Sequence, residues 1–236
     1  MIFSNISKEF ALIKRNIRSR RGHFRADKQH YFVLHDILPE KDFQHIRELL
    51  LKNKTLFLRN DSSVRQGSSM GGHELRKSSL LKIADIIDNP EFLQKVQSKT
   101  GIANLQFVPE VDTNRLSLLY YKDEGDGIDW HVDGTIYLGD RWAGILTIVE
   151  YIKESKAKLE LKPNGKPATF PVEKMENTLV LFQGDQVQHR ARPMLMDEQR
   201  IVVSLLFSTN PTRTRNPILR LYQAWVNYIF YGNPRA

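Results

Sequence analysis

Residues 128–134 read Ile-Asp-Trp-His-Val-Asp-Gly, and residues 178–207 read TLVLFQGDQVQHRARPMLMDEQRIVVSLLF. The first stretch carries His131 and Asp133, two residues apart; the second carries His189 and then Arg200 on an apolar run. In a strand, residues i and i+2 point to one side. His131 and Asp133 can therefore reach one metal from a single strand end, with Val132 turned away, and Gly134 lets the backbone leave the strand sharply. His189 must arrive from another strand laid alongside. Two imidazoles and one carboxylate form the facial set that binds Fe(II) and leaves other coordination positions open. His131, Asp133 and His189 are thus the candidate metal ligands and the candidate catalytic centre.

Strand-like runs follow His131: Ala143 to Val149, Ala157 to Leu161, Thr178 to Phe182 and Arg200 to Phe207. The turn Gln183-Gly184-Asp185-Gln186 and Pro193 punctuate them. Short strands with turn residues between them predict a sandwich or barrel.

The order His-x-Asp, strands, "NTLVLFQGDQVQHRARPML" and "QRIVVSLLFS" closely resembles the Fe(II)/2-oxoglutarate-dependent oxygenases. The resemblance covers about residues 30–210, and its motifs fall within 115–208. It implies a mainly β fold with flanking helices around a double-stranded β-helix (jelly-roll, cupin-like) core. It also implies an enzyme that uses Fe(II), 2-oxoglutarate and O2 to hydroxylate a substrate, releasing succinate and CO2. In that family an Arg shortly after the second His grips the far carboxylate of 2-oxoglutarate; Arg200, eleven residues past His189, matches it. Many members continue Arg-x-Ser. Here Val202 follows, and Ser204 is the first hydroxyl on the Arg200 side of the strand. A polar group on the strand before His-x-Asp often contacts the cosubstrate in the family. Tyr120 is the candidate, with a core tyrosine as the other reading; Thr147 is a similar candidate. The family's halogenases replace the carboxylate by Gly or Ala, so Asp133 implies oxygenation.

The chain has 236 residues, no cysteine and a net charge of +8. That length suits one domain, here 1–236, with a basic N-terminal helix within 1–28, a core with helices in 29–210 and an aromatic helix in 211–236. Without cysteine there is no disulfide frame and no thiolate ligand. No apolar run is long enough to span a membrane. The N-terminus lacks a signal-like apolar region, so a cytoplasmic location is the expectation. Residues 1–28 hold eight Lys/Arg against two acids, 211–236 hold four Arg and no acid, and 29–210 hold 23 against 25. The basic excess lies in the two ends. A nucleic-acid enzyme is expected to carry a basic stripe beside its site, so nucleic acid is disfavoured as the substrate.

In residues 3–20, Phe3, Ile6, Phe10, Ile13 and Ile17 recur at helical spacing, with Lys8, Lys14, Arg15 and Arg18 on the other face. The two readings are attachment to an anionic surface and a peripheral helix with solvated cations. Arg18 to Lys28 reads as a polar connector. Tyr31 to Leu34 predicts a strand, 39–53 a helix opened by Pro39, and 80–100 two helices broken at Asn89-Pro90. The Gly/Ser-rich stretch 59–79 predicts a lid or binding loop, with Arg65 and His73 as candidates to touch substrate. Residues 105–111 and 115–121 predict strands. After Phe207, "STNPTRTRNP" reads as a linker. Residues 218–231 predict a helix whose stripe of Leu221, Trp225, Tyr228 and Ile229 must be buried: on the domain, over the site with Trp225 walling a substrate pocket, or in a homodimer. The "GIDWHVDG" environment and this extension are similar to small enzymes that hydroxylate or halogenate free amino acids, which implies a small-molecule substrate. The rivals are a nucleic-acid or protein side-chain oxygenase, whose Arg-x-Asn-x-Thr-x-Arg ending is not matched at 200–206, and a cupin-like binding or isomerase domain without redox turnover.

Overall fold

The computed structural model describes residues 2–20 and 30–232, with side chains from 7–17 and 30–232. The expected connector therefore lies largely outside the described residues. Helix α1 (Ile2–Arg20) precedes strand β1 (Tyr31–Leu34), helix α2 (Glu40–Lys52), and the short strands β2 (Leu58–Arg59), β3 (Arg65–Gln66) and β4 (Ser68–Met70). Helices α3 (Gly72–Arg76), α4 (Leu81–Ile87) and α5 (Pro90–Thr100) follow, then β5 (Gln106–Phe107) and β6 (Leu116–Tyr121). The second half holds β7 (Gly127–His131), β8 (Arg141–Tyr151), β9 (Lys156–Lys162), β10 (Ala168–Pro171), β11 (Thr178–Phe182), β12 (Gln188–Ala191) and β13 (Gln199–Ser208), and closes with α6 (Pro217–Tyr231).

The strands form two antiparallel sheets. The larger runs β1-β11-β8-β13-β6-β4-β2, with β5 added on β13; the smaller runs β10-β9-β12-β7-β3. Facing sheets of this kind, with helices outside one of them, make the jelly roll that the resemblance implied. The main core lies between the larger sheet and α2, α4 and α5. There Phe43, Ile46, Leu50, Ile83, Ile87, Phe92 and Val96 pack on Leu118, Leu146, Leu181, Ile201 and Val203. The break between α4 and α5 falls where the sequence placed it. Asn89 caps α5 by accepting from the Phe92 amide, and Pro90 takes the first turn, where it forfeits no helical hydrogen bond.

Several local expectations are corrected. The stretch 59–79 is not a lid: it folds into β2, β3, β4 and α3, and β4 pairs with β6 with its residues buried. The 105–111 strand shrinks to two residues. The "linker" after Phe207 is tied down: Arg213 bridges Tyr137, Leu138 donates to Thr212 O, and Thr214 donates to Ile136 O. Gly134 does not adopt a left-handed turn. Its missing Cβ instead leaves room for Tyr222 of α6, whose ring such an atom would meet at 3.3 Å.

Helix α1 is also turned the other way. Phe10 and Ile17 face solvent, while Leu12, Arg15 and Asn16 face the barrel. Asn16 donates to Thr135 O and accepts from the Thr135 amide. Arg15 donates to Tyr137 O and Gly139 O and pairs with Asp185, at 2.8 Å, and with Asp140. It is therefore not one of a row of solvated cations. Burial pushes the Asp185 carboxyl up to about 6, against the pull of Arg15 and Arg141. A carboxyl with a raised folded pKa adds stability that is full below its unfolded value and is lost as pH rises through the folded one. Removing Arg15 leaves the ionised Asp185 buried without this partner. We expect Arg15→Ala to lower stability by about 1.5–3 kcal/mol at pH 8, and by clearly less at pH 5, where Asp185 can protonate. Thermal melts at the two pH values check this; equal losses at both would remove the Arg15–Asp185 pair as the cause.

Candidate metal centre and its cavity

Strands β7 and β12 are neighbours, and His131 and His189 stand opposite each other in their register, ring centroids 4.1 Å apart. Each ring is oriented by its own strand. His131 Nδ1 lies 2.7 Å from Asp129 O, and His189 Nδ1 lies 2.9 Å from Val187 O. A carbonyl can only accept, so both Nδ1 atoms carry the proton and both Nε2 atoms keep a lone pair. Asp133, just past the end of β7, completes the group: its Oδ1 lies 4.0 Å from His131 Nε2 and 3.9 Å from His189 Nε2. One donor atom from each of the three lies within 4.8 Å of the others. Three converging donors at such spacing fit one ion at bond lengths of about 2.0–2.2 Å.

The surroundings keep this donor set in its metal-binding form. Burial, with His131 beside it, pulls the His189 imidazole down to about 4, so it is neutral at ordinary pH. Burial alone would raise the Asp133 carboxyl. The Arg141 guanidinium beside it outweighs burial and holds Asp133 well below the usual carboxylate range. Arg141 Nε donates to Asp133 Oδ2 at 3.1 Å, which leaves Oδ1 for the ion. The Asp133 amide donates to Gly184 O at 2.8 Å, and a side chain on Gly184 would collide with the Asp133 carboxylate. The turn at 183–186 thus needs its glycine for close approach. Arg141 and Gly184 were not among the sequence candidates; Arg141 stands eight residues beyond Asp133, and nothing in the linear spacing marks it.

The three donors open into a cavity of about 400 Å³. Its walls include Leu119, Tyr121, Ile128, Ile145, Phe182 and Val202. Arg200 and Ser204 line it, as expected for one side of β13. Arg200 is buried, its Nε donates to Glu150 at 2.6 Å, and its Nη2 is buried with no hydrogen-bond partner. Glu150 reaches Arg200 because β8 contains an extra residue: Val202 pairs with Thr147 while Ile201 pairs with Val149, leaving Ile148 unmatched. This bulge reverses the alternation of β8 and turns Glu150 to the Arg200 side.

Tyr120 is not at the site. It points into the main core against Phe57, ring centroids 5.4 Å apart, and its neighbour Tyr121 faces the cavity. The core reading of Tyr120 is the one that holds, and the cavity-facing tyrosine of β6 lies one residue further on. Thr147 is buried with an unbonded hydroxyl on the side of β8 that carries Ala143 and Ile145, but it is not in the cavity lining. His73 sits on α3, also away from the lining. Arg65 does line the cavity, and so does Trp225. Helix α6 covers part of the barrel through Tyr222, Trp225, Val226, Ile229 and Phe230.

No protein-family model and no curated protein matches the sequence. Solved structures do match. The non-heme α-ketoglutarate-dependent epimerase SnoN from nogalamycin biosynthesis aligns with a TM-score of 0.59 at 14% identity, over 89% of this chain and 86% of that one. A prolyl-4-hydroxylase from Pseudomonas putida aligns at 0.56 and 12%, over 86% of this chain and 100% of that one. AviO1 from Streptomyces viridochromogenes aligns at 0.59 and 11%, over 86% and 98%.

The support given by Arg141 can be tested on its own. Partners that orient a metal-bound carboxylate typically change metal affinity about 10–100-fold. Arg141→Leu should weaken Fe(II) binding by about tenfold or more and move its acid limb to higher pH, because Asp133 regains an ordinary affinity for protons. Anaerobic Fe(II) titration across pH checks it; an unchanged acid limb would mean that Arg141 does not hold Asp133 ionised. With two facing sheets, helices outside one of them and a His-x-Asp…His group at one end of the barrel, the chain has the double-stranded β-helix fold of the non-heme, α-ketoglutarate-dependent enzymes.

Proposed function

We propose that the chain is an Fe(II)/2-oxoglutarate-dependent dioxygenase that hydroxylates a small molecule bearing an acid group, a free amino acid or a related metabolite. The observation that carries the reading is one cavity holding both the three metal donors and the unbonded, buried Nη2 of Arg200. A buried guanidinium nitrogen without a partner is costly, and a carboxylate is the group its planar fork fits best. His131 Nε2, Asp133 Oδ1 and His189 Nε2 would hold Fe(II). Arg200, steadied by Glu150, would hold the far carboxylate of 2-oxoglutarate, with Ser204 on the same side of β13. When bound, Fe(II), 2-oxoglutarate and O2 supply the oxidising power, with succinate and CO2 leaving. The protein places the substrate and keeps water out, through Leu119, Ile128, Ile145, Phe182 and Val202. SnoN was crystallised with Fe3+ and α-ketoglutarate, which supports the same pair of ligands here.

Arg65 supports an acidic substrate. Four arginines line the cavity. Arg141 pairs with Asp133, Arg190 with Glu160 and Arg200 with Glu150. Arg65 is as buried as Arg200 and makes no carboxylate pair. Its Nη2 donates to Asn60 O, Ser69 Oγ and Phe230 O, and its Nη1 is unbonded. Asp61 is close enough to feel its charge but bonds to Arg59 and the Gly67 amide instead. An incoming carboxylate would neutralise Arg65. One matching structure is a prolyl hydroxylase bound to a peptide fragment. Here α6 walls the cavity, which favours a small ligand over an extended chain.

Two experiments test the proposal. Oxygen uptake and succinate formation should both require Fe(II) and 2-oxoglutarate, and His189→Ala should abolish them; turnover that survives in the variant would remove His189 as an iron ligand, and no turnover with both supplied would leave a non-redox binding domain as the better reading. Arg200→Ala should raise the KM for 2-oxoglutarate by about ten- to hundredfold, the loss of a charge-assisted pair, with Fe(II) still bound. Arg65→Met should leave that KM unchanged and uncouple succinate formation from oxidation of whichever acid a +16 mass-shift screen identifies. A KM that rises with Arg65→Met and not with Arg200→Ala would exchange the two roles.

A further inference from the structure

The outer surfaces of α1 and α6 run against the usual pattern. A helix on a soluble domain turns its apolar stripe inward. Helix α6 turns Gln223 and Asn227 inward: Gln223 donates to Asn227 Oδ1, which also accepts from Asn114. Its outward face is Ile218, Leu221, Trp225 and Tyr228, exposed by 76%, 73%, 59% and 61%. Helix α1 does the same, with Arg15 and Asn16 inward and Phe10 and Ile17 outward. The two helices share one side of the barrel. Glu9 of α1 binds the Thr214 hydroxyl and accepts from the Arg215 amide at 2.7 Å, at the start of α6, and Gly134 is flanked by both Asn16 and Tyr222. Among the described residues nothing covers these outward faces.

Charge says what suits them. The exposed cations of this side are Lys8, Lys14, Arg215 and Arg220. The only acid in the two helices is Glu9, already bonded to the neighbouring segment. By sequence, residues 1–28 and 211–236 carry net charges of +6 and +4 while the rest is slightly acidic, and the described parts of both segments, with these four exposed cations, lie on this side. Two copies meeting through this side would oppose like charges. Leu, Ile and Phe mixed with Trp and Tyr and fringed by Lys and Arg is the composition of a helix lying in the plane of a membrane interface. Neither helix is long and apolar enough to cross one.

We propose that the outward faces of α1 and α6 dock this chain on an anionic lipid bilayer, with the cavity mouth, walled by Tyr222 and Trp225, at the interface. The proposal rests on the outer surface and not on the reaction, so it stands or falls separately from the oxygenase reading.

The full chain should float with vesicles of equimolar phosphatidylglycerol and phosphatidylcholine and stay in solution with phosphatidylcholine alone. High salt should weaken the binding. Tryptophan emission should shift to the blue on binding, and Trp225→Phe should remove that shift while flotation persists. The paired variants Ile218→Glu/Leu221→Glu and Lys8→Glu/Lys14→Glu change exposed side chains, so their melting temperatures should stay near that of the unaltered chain. Each should weaken partitioning by about tenfold or more. Three results would overturn the proposal: no flotation with anionic vesicles; flotation that folded variants of both kinds retain in full; or a dimer in light scattering that Leu221→Glu converts to monomer, which would make a second copy the partner of this face.

Discussion

The cross-strand pairing of β7 with β12 is the constraint on which the site depends. It sets His131 directly opposite His189. Side chains alternate with a period of two, so a slip of one residue would send one imidazole out of the barrel and leave two donors. Each histidine is also keyed by a carbonyl two residues before it, Asp129 O or Val187 O. The same backbone that sets the pairing therefore sets which nitrogen faces the other two donors. Asp133 follows from this frame: its amide is held by Gly184 O, and its spare oxygen by Arg141.

A second constraint lies across the barrel, where Arg200 and Glu150 form a fully buried pair. Such a pair is weak evidence for stability, since desolvation offsets much of its attraction. It does place a guanidinium. Glu150 occupies Nε and leaves Nη2 to the cavity. Glu150 also accepts from the Lys158 amide, so it is itself held by β9. The bulge at Ile148 makes this possible, and it interrupts an otherwise regular β8–β13 ladder beside the cavity. Arg65 contrasts with Arg200: as buried, but tied to carbonyls and a hydroxyl in place of a carboxylate.

The terminal helices are attached by polar contacts. Arg15 and Asn16 fasten α1 to residues 135–140 and to Asp185, one residue from the glycine that supports Asp133. Asn227, which also accepts from Gln223, and Tyr231 fasten α6 to Asn114 and Ser117, and Phe230 O receives both Ser69 and Arg65. Each end of the chain thereby touches the site's supports while presenting apolar side chains outward. That arrangement reverses the expectation that the stripe of Leu221, Trp225 and Tyr228 would be buried.

The cluster of candidate metal donors was legible in the sequence because its chemistry is local. His-x-Asp at a strand end, a later histidine and an arginine on the next apolar run form a pattern of residue type and spacing, and the short strands between them announce the barrel. The helix break at Asn89-Pro90 was legible for the same reason, since capping and the proline ring act over a few bonds. What the tertiary structure alone decided are matters of facing. Tyr121 and not Tyr120 meets the cavity, because both sides of β6 are covered, and the single polar residue in it, Ser117 on the Tyr121 side, is the only mark of its phase. Glu150 meets Arg200 because one extra residue in β8 reverses the phase, and no Gly or Pro at the bulge marks it in the sequence. Arg141 and Arg15 act on Asp133 and Asp185 through contacts between distant segments. The direction in which α1 and α6 turn was set by the buried amides and guanidinium that they supply to the barrel: an unpaired buried polar group is penalised more heavily than an exposed leucine, and periodicity of apolar residues does not register that difference.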